Sequence, residues 1–260
     1  RKKYMSDVSH ELKTPIALIS GYAEGLMEGI STDPEDVRYY CSVIIDEADK
    51  MNLMIKKLAT LNQLEQGRSE VTLERFNVVE VIDGFLNTMA IIISEKQVNL
   101  YFDNRDTIYV WSDEFLFEEV MVNYFNNALN HLNDDRVIKI NVEQRDEGNV
   151  RVTVFNSGNN INEDELDKIW GKFYKVDKAR TREYGGSGLG LSIVKAVADS
   201  LGRQCGAYNL EGGVAFWIEL EAAEYQPGYD EEETEPVPLD QRIRHKLTEL
   251  PIWKTTANAI

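Results

Sequence analysis

Residues 8–26 read VSHELKTPIALISGYAEGL. Apolar side chains recur here every three or four residues, the spacing that places them on one side of an α-helix. They are Val8, Leu12, Ile16, Ile19, Tyr22 and Leu26. The next segment has the same period and begins with Asp33-Pro34, a helix cap followed by a proline suited to a first helical turn. Residues 1 to about 66 are therefore predicted to form a helical hairpin.

The predicted hairpin carries more apolar surface than its own two helices cover. An amphipathic helix exposes a wide apolar stripe, and each helix of the hairpin covers only part of its neighbour's stripe. Pairing of two hairpins into a four-helix bundle buries the remainder. We therefore predict a homodimer in which residues 1–66 form the dimerisation domain.

After Gly67 the pattern changes to short strands combined with helices. Helices are predicted at 76–95, 112–132 and 189–201, and strands at 98–102, 108–111, 137–143, 150–155, 206–209 and 214–221. Strands grouped into hairpins with intervening helices indicate an α+β layer and not a doubly wound parallel sheet. We assign residues 67–223 to this second domain.

Residues 224–260 form an acidic tail that contains Pro236-Val237-Pro238. Such a composition does not bury enough apolar surface to fold alone. Apolar side chains nevertheless recur at helical spacing at Leu239, Ile243, Leu247 and Leu250. A flexible tail and a short docked helix both stay open.

The whole chain is strongly acidic. Its 260 residues include 28 Lys plus Arg and 45 Asp plus Glu, for a net charge of −17. A nucleic-acid partner is not expected, because neutralising phosphates requires clustered basic side chains. The longest strongly apolar run, 89–93, is far shorter than the ~20 residues that cross a bilayer. Because the chain starts at Arg1 and not at methionine, we interpret it as the cytosolic part of a longer protein.

A glycine-rich run, Gly185-Gly186-Ser187-Gly188-Leu189-Gly190-Leu191, leads directly into a predicted helix. Glycines let backbone amides approach phosphates closely, and a helix start adds partial positive charge. The run is not a Walker A loop, because it lacks Gly-Lys-Ser/Thr, and no apolar strand precedes it as in a dinucleotide fingerprint. Taken alone, it fits a nucleotide site and a flexible loop equally well.

Two other patterns contain asparagines. Glu119, Asn123, Asn127 and His131 are spaced by four and share one face of a predicted helix. That face is either solvated or a magnesium site, in which Asn127 offers a hard oxygen ligand. The run Asn156-Ser157-Gly158 ends a predicted strand, where it is either a simple turn or a place for an amide to meet a base edge.

The run Ser9-His10-Glu11-Leu12-Lys13-Thr14-Pro15 lies inside the first predicted helix. Pro15 should kink this helix, and kinks with polar neighbours often mark functional positions. His10 and Thr14 are four residues apart and share a face. A single exposed histidine is usually an ordinary surface residue, so its interpretation depends on the patterns around it.

Together these patterns resemble the cytoplasmic core of bacterial two-component sensor histidine kinases. The segments similar to the H, N, G1, F and G2 boxes are, in the family's order, 9–15, 123–128, 156–158, 173–174 and 186–190. The resemblance covers about residues 1–221. It implies a dimerising hairpin joined to an ATP-binding α/β sandwich of the histidine kinase, gyrase and Hsp90 type. It also implies a response regulator receiver domain as partner, and a sensor in the bacterial inner or plasma membrane as the full-length protein.

For the hairpin, the resemblance implies three catalytic residues. His10 would be the phosphoacceptor, because its neutral imidazole has a nitrogen lone pair that can attack the γ-phosphorus of ATP. Glu11 would accept the proton from the other ring nitrogen. Thr14 would position the water that dephosphorylates the response regulator.

For the second domain, the resemblance implies binding of ATP and Mg²⁺. Asn127 would ligate the metal. In the loop before the glycine-rich run, which forms the lid of this family, Lys175, Arg180 and Arg182 would meet phosphate oxygens unless they only form a solvated loop. Phe173 would pack the lid against the hairpin or the nucleotide. The residues assigned to the nucleotide are Asn123, Asn127, Asn156, Gly158, Phe173, Tyr174, Lys175, Arg180, Arg182, Gly186, Ser187, Gly188, Leu189 and Gly190.

The sequence departs from the family pattern at three places. Asn156 stands where aspartate is usual, Asn160 replaces the second G1 glycine, and Asn130 stands where the N box often has lysine. An amide oxygen can still accept a hydrogen bond from the adenine amino group, but without a charge, so weaker ATP affinity is expected. Because His10 and Asn127 are present, we expect an active kinase.

Two alternatives stay open on sequence alone. One is a degenerate sensor that binds nucleotide, or nothing, and acts by docking its hairpin on a partner. The other is an ATPase of the gyrase or Hsp90 branch, which needs a carboxylate base where this chain has Asn123. Because an amide cannot take a proton from water, we expect steady ATP hydrolysis to be slow.

Overall fold

The computed structural model describes residues 2–30, 33–67, 71–103, 106–145, 148–176 and 187–224. Three of the residues assigned to the nucleotide, Arg180, Arg182 and Gly186, lie outside these ranges. So does the predicted tail beyond Glu224. The roles assigned to these residues stay predictions.

The N-terminal part is the predicted helical hairpin. Helix α1 spans Lys2–Met27 and helix α2 spans Pro34–Glu65. As predicted, Asp33 caps α2, and its side chain accepts a hydrogen bond from the Glu35 backbone N–H at 3.0 Å. Helix α1 continues through Pro15, which is buried and has no N–H to donate to the carbonyl of Glu11. Within the described residues, no helix has both the length and the apolar character that a membrane span requires.

The remaining described elements alternate strands and helices. In chain order they are β1 (Glu74–Asn77), α3 (Val78–Glu95), β2 (Asn99–Tyr101), β3 (Tyr109–Ser112), α4 (Glu114–His131), β4 (Val137–Arg145), β5 (Asn149–Ser157), α5 (Gly190–Ser200), β6 (Cys205–Leu210) and β7 (Gly213–Ala222). The prediction of a helix starting at Phe76 is wrong at its first two residues. Phe76 pairs with Val110 of β3, and Asn77 caps α3 by accepting from the Val79 N–H at 3.2 Å.

The described strands form one mixed, seven-stranded sheet in the order β1-β3-β7-β5-β4-β2. Strand β6 pairs with the first half of β7, and β3 pairs with the end of β7. The described strand pairs are antiparallel except for β2 and β4, which pair in parallel. The predicted α+β fold is confirmed.

One face of the sheet is buried beneath helices. Along β4, Ile138 and Ile140 are buried, whereas Lys139 and Asn141 are exposed. This alternation is typical of a sheet with one covered face. Helix α4 packs on β5 and on α5, and α3 packs on α4. The buried Tyr124 of α4 reaches back to the sheet, where its hydroxyl donates to the carbonyl of Trp217 at 2.8 Å.

The second helix of the hairpin joins the same hydrophobic core. Helix α2 packs on α5, and its side chains Met54, Leu61 and Leu64 are buried within the core cluster. Residues 1–223 accordingly form one compact unit. The division into domains at residues 66 and 67 stays a prediction from the sequence.

The hairpin also presents apolar side chains that this core does not cover. On α1 and α2 the large apolar side chains exposed to solvent include Ile16, Leu18, Ile45, Leu53 and Ile55. These side chains provide apolar surface for the predicted pairing of hairpins. The four-helix bundle itself stays a prediction.

Leu61→Ala tests the contact between α2 and the second domain. Leu61 is 0% exposed. Its truncation should lower the free energy of unfolding by about 2–5 kcal/mol, because it leaves a cavity in the shared core. Urea denaturation of the whole chain measures this loss. The matched control is Leu73→Ala at a site that is 59% exposed. Its expected effect is within about 0.5 kcal/mol. Equal losses in the two variants would show that α2 does not share the core.

Candidate nucleotide and phosphoacceptor site

Helix α4 carries the asparagines of the predicted N box, and its start is fixed by Asp113. One carboxylate oxygen of Asp113 accepts from the Leu116 N–H at 3.0 Å. The other accepts from the Thr72 N–H at 2.9 Å. The cap therefore ties α4 both to its own first turn and to the segment that follows the hairpin.

A cavity of about 370 Å³ lies at α4, the end of β5 and the start of α5. Its size and its mixture of apolar and polar walls are typical of a small-molecule site. The walls are formed by Lys57, Asn123, Asn126, Asn127, Asn130, His131, Leu132, Asn156, Asn159, Asn160, Ile161, Ile169, Tyr174, Lys175, Val176, Ser187, Gly188, Gly190, Leu191, Val214 and Phe216.

Two amide oxygens in the cavity walls are buried without a hydrogen-bond partner among the described residues. They are Oδ1 of Asn123 and Oδ1 of Asn156, in side chains that are 3% and 2% exposed. The amide nitrogens are satisfied, since Asn123 Nδ2 donates to the Glu119 carbonyl and Asn156 Nδ2 to the Ser157 carbonyl. A buried acceptor left unpaired costs about 1–3 kcal/mol. Both oxygens are therefore available to accept a hydrogen bond from a ligand or to bind a cation.

The glycine-rich run lies against this wall. Gly188 has a φ of +68°, and an added Cβ would lie 2.8 Å from the Phe173 backbone. At Gly190, an added Cβ would lie 3.1 Å from Asn123 Oδ1, so the absence of a side chain leaves room around that oxygen. Helix α5 begins here without a side-chain cap. Uncapped N–H groups at a helix start form a ready site for an anion.

Three residues assigned to the nucleotide lie beside the cavity and not in its wall. Leu189 is fully buried in the core, and Phe173 packs half-buried against the same core. Gly158 has a φ of +155°, and an added Cβ would lie 2.3 Å from the His131 carbonyl oxygen. In this arrangement glycine is required at 158 by the end of α4.

The hairpin residues reach the cavity through an ion pair. His10 and Thr14 are exposed on α1, and Glu11 between them is half-buried. Lys175, which lines the cavity, donates from Nζ to both carboxylate oxygens of Glu11 at 2.9 and 3.0 Å. The helical turn that carries His10 is thereby joined to the cavity. The role of Lys175 toward phosphate stays a prediction.

Lys57 lies on α2 and lines the cavity beside the N-box face, and it is not among the site residues predicted from the sequence. Burial lowers the pKa of Lys57, and the negative charge of Glu119 partly opposes this change. Burial likewise raises the pKa of Glu119, against the opposing charge of Lys57. Lys57 belongs to none of the five boxes, and no local pattern indicates that α2 would approach α4.

Two family models match the chain. Residues 1–67 match the His Kinase A (phospho-acceptor) domain. Residues 112–224 match the Histidine kinase-, DNA gyrase B-, and HSP90-like ATPase. The first range contains His10, and the second contains the walls of the cavity apart from Lys57.

Among curated proteins, the chain is similar to the sensor protein kinase WalK of Staphylococcus aureus. The two are 30% identical over 223 residues, which are 85% of this chain and 53% of that WalK sequence. In the WalK of strain JH9 the matched part is 36% of the sequence. The chain thus spans about half the length, or less, of these curated relatives.

Solved histidine kinases share the fold. The catalytic domain of histidine kinase ThkA is 30% identical with a TM-score of 0.51, and the match covers 58% of this chain and 95% of that domain. ThkA in complex with the response regulator protein TrrA is 27% identical with a TM-score of 0.69, and the match covers 85% of this chain and 61% of that chain. Because the matches span the hairpin, the cavity and the sheet, the chain belongs to the sensor histidine kinase family of two-component signal transduction.

Proposed function

We propose that the protein transfers the γ-phosphoryl group of Mg-ATP to His10 and then to an aspartate of a response regulator. We include in this proposal a phosphatase activity toward the same regulator. The observation that carries it is the pair of unpartnered amide oxygens of Asn123 and Asn156, in a cavity that Lys175 and Glu11 join to the His10 turn. Membership of the histidine kinase family supports it independently.

In the proposed complex, adenine lies toward Asn156. The buried Oδ1 of Asn156 accepts a hydrogen bond from the adenine amino group, which removes the cost of leaving that oxygen unpaired. The apolar walls formed by Ile169, Val214 and Phe216 suit the faces of a purine ring. The phosphates then extend toward the glycine-rich run and the uncapped start of α5.

The asparagines of α4 fit a magnesium ion. Asn127 lines the cavity and the Oδ1 of Asn123 is buried without a partner, and amide oxygens are hard ligands of the kind that Mg²⁺ accepts. When bound, the ion neutralises charge on the phosphate oxygens during transfer. Asn127 is the residue proposed to ligate it, with Asn123 in the same phosphate region.

His10 is accessible for the proposed reaction. Its exposed neutral imidazole attacks the γ-phosphorus, so that an N–P bond forms while the P–O bond to ADP breaks. The proton on the other ring nitrogen passes to Glu11. In the structure both Glu11 oxygens accept from Lys175. Release of this ion pair therefore precedes proton transfer.

The proposed partners are a second copy of this chain and a receiver domain. Exposed apolar side chains on α1 and α2, among them Ile16 and Ile55, support pairing of two hairpins. ThkA was solved in complex with the response regulator protein TrrA, which supports a partner of the same kind for this chain. Thr14 is exposed one turn after His10, where we propose that it positions the water for dephosphorylation.

His10→Ala tests the phosphoacceptor. Wild-type protein incubated with labelled ATP and Mg²⁺ should gain phosphate that is stable to base and labile to acid. The variant should gain none, because the attacking nitrogen is gone. His245→Ala serves as the control that removes a histidine of no assigned role, and it should label like the wild type. Labelling that persists in His10→Ala contradicts the proposal. Nucleotide binding without any labelling of the wild type favours a sensor that acts by docking alone.

Asn156→Ala tests the adenine contact. Loss of the amide oxygen should weaken ATP binding about three- to tenfold, the value of one neutral hydrogen bond. It should also remove the preference for ATP over purine riboside triphosphate, which lacks the amino group. Competition against a fluorescent nucleotide measures both effects. Asn159→Ala, which removes an exposed amide from the same cavity wall, should leave that preference intact. A preference that survives in Asn156→Ala would place adenine elsewhere.

Asn127→Ala tests the metal site. Removing the proposed ligand should raise the Mg²⁺ concentration needed for half-maximal phosphorylation at least about tenfold. A magnesium titration at fixed ATP measures this shift. Asn141→Ala removes an exposed amide on β4 and should leave the titration unchanged. An unaltered midpoint in Asn127→Ala would mean that the metal is held by other groups.

A further inference from the structure

We propose that Lys57 of the hairpin binds the phosphate groups of the nucleotide, so that the ATP site is completed by the phosphoacceptor domain. This inference rests on the proposed ATP-binding function and adds a residue to that site. It concerns a part of the chain outside the five boxes on which the family resemblance was built.

The position of Lys57 is the first support. Its side chain lines the cavity together with Asn127 and Asn130 of the N-box face. The adjacent Lys56 is exposed to solvent and does not line the cavity. Two neighbouring lysines on one helix thus have different surroundings, and only the second reaches the cavity.

The second support is that the Lys57 ammonium group has no direct partner among the described residues. Within the described ranges, Lys57 forms neither a hydrogen bond nor an ion pair at 4.0 Å or less. The nearby carboxylate of Glu119 acts on it through its charge alone. A half-buried cation without a direct partner is costly, and an anion in the cavity would offset that cost. The groups of bound ATP that carry negative charge are its phosphates.

The charges of the other cavity residues are the third support. Among the described residues of the wall, ammonium groups come from Lys57 and Lys175. Lys175 donates to both oxygens of Glu11. Asn130 is neutral at a position where related N boxes often carry lysine. Among the described residues of the cavity wall, Lys57 is therefore the lysine that is available to the phosphates.

This placement couples nucleotide binding to docking of the two domains. Lys57 belongs to α2 of the hairpin, whereas Asn127 and Asn156 belong to the second domain, residues 67–223. All three line one cavity only while α2 is packed on α5. A ligand that binds the docked arrangement more tightly than the undocked one shifts the docking equilibrium by the ratio of the two affinities. The bound triphosphate therefore holds the catalytic domain on the hairpin until the phosphoryl transfer step.

Calorimetric titration of the whole chain tests the proposal with two probes, the ATP analogue AMPPNP and adenosine. Lys57→Met keeps the apolar stem but removes the charge, and it should weaken AMPPNP binding about three- to tenfold. Adenosine, which has no phosphate, should bind the variant as it binds the wild type. Lys57→Arg should retain most of the AMPPNP affinity, because it keeps the cation. Lys56→Met is the matched control and should match the wild type with both probes.

The outcomes separate this proposal from the one on which it rests. If the wild type binds AMPPNP and Lys57→Met binds it equally well, Lys57 does not contact phosphate and the ATP site stands without it. If Lys57→Met loses affinity for adenosine and AMPPNP alike, the lysine acts on the fold of the site and the inference is wrong. If the wild type binds neither probe, the proposed ATP-binding function itself fails.

Discussion

The structure depends on the packing of the second half of α2 against α5. Leu61 is fully buried, and together with Met54 and Leu64 it belongs to the core cluster that also contains Ile193 and Val197 of α5. Burial of one leucine side chain is worth about 1.5–3 kcal/mol. A partly exposed ion pair such as Lys172–Glu65 is worth about 0.2–1 kcal/mol. The apolar junction therefore supplies most of the docking energy, and the ion pairs fix which surfaces meet.

The same packing builds the site and restrains it. It brings Lys57 to the cavity of the second domain and lets Lys175 reach Glu11 on α1. The predicted phosphoacceptor His10 stays exposed, but its predicted proton acceptor is held by a lysine. The proposed phosphoryl transfer therefore requires the ion pair between Lys175 and Glu11 to open.

Local patterns in the sequence predicted most of the fold, and long-range contacts explain the rest. The cap at Asp33 and the shared face of Asn123 and Asn127 depend on residues within a few positions of one another, so the sequence alone indicates them. Strand β1 was missed because its four residues form a strand only by pairing with β3. The contact between Lys175 and Glu11 joins residues 164 positions apart, and no periodicity encodes it.

The central claim is that a histidine on the hairpin accepts the γ-phosphoryl group of ATP. Phosphorus NMR of the intact chain after addition of Mg-ATP tests it most directly, because a phosphorus bonded to an imidazole nitrogen has a resonance distinct from those of phosphate esters and acyl phosphates. The account predicts a protein-bound phosphoramidate signal in the wild-type chain that is missing from His10→Ala. A signal of another chemical type, or a phosphoramidate signal that remains in His10→Ala, would contradict it.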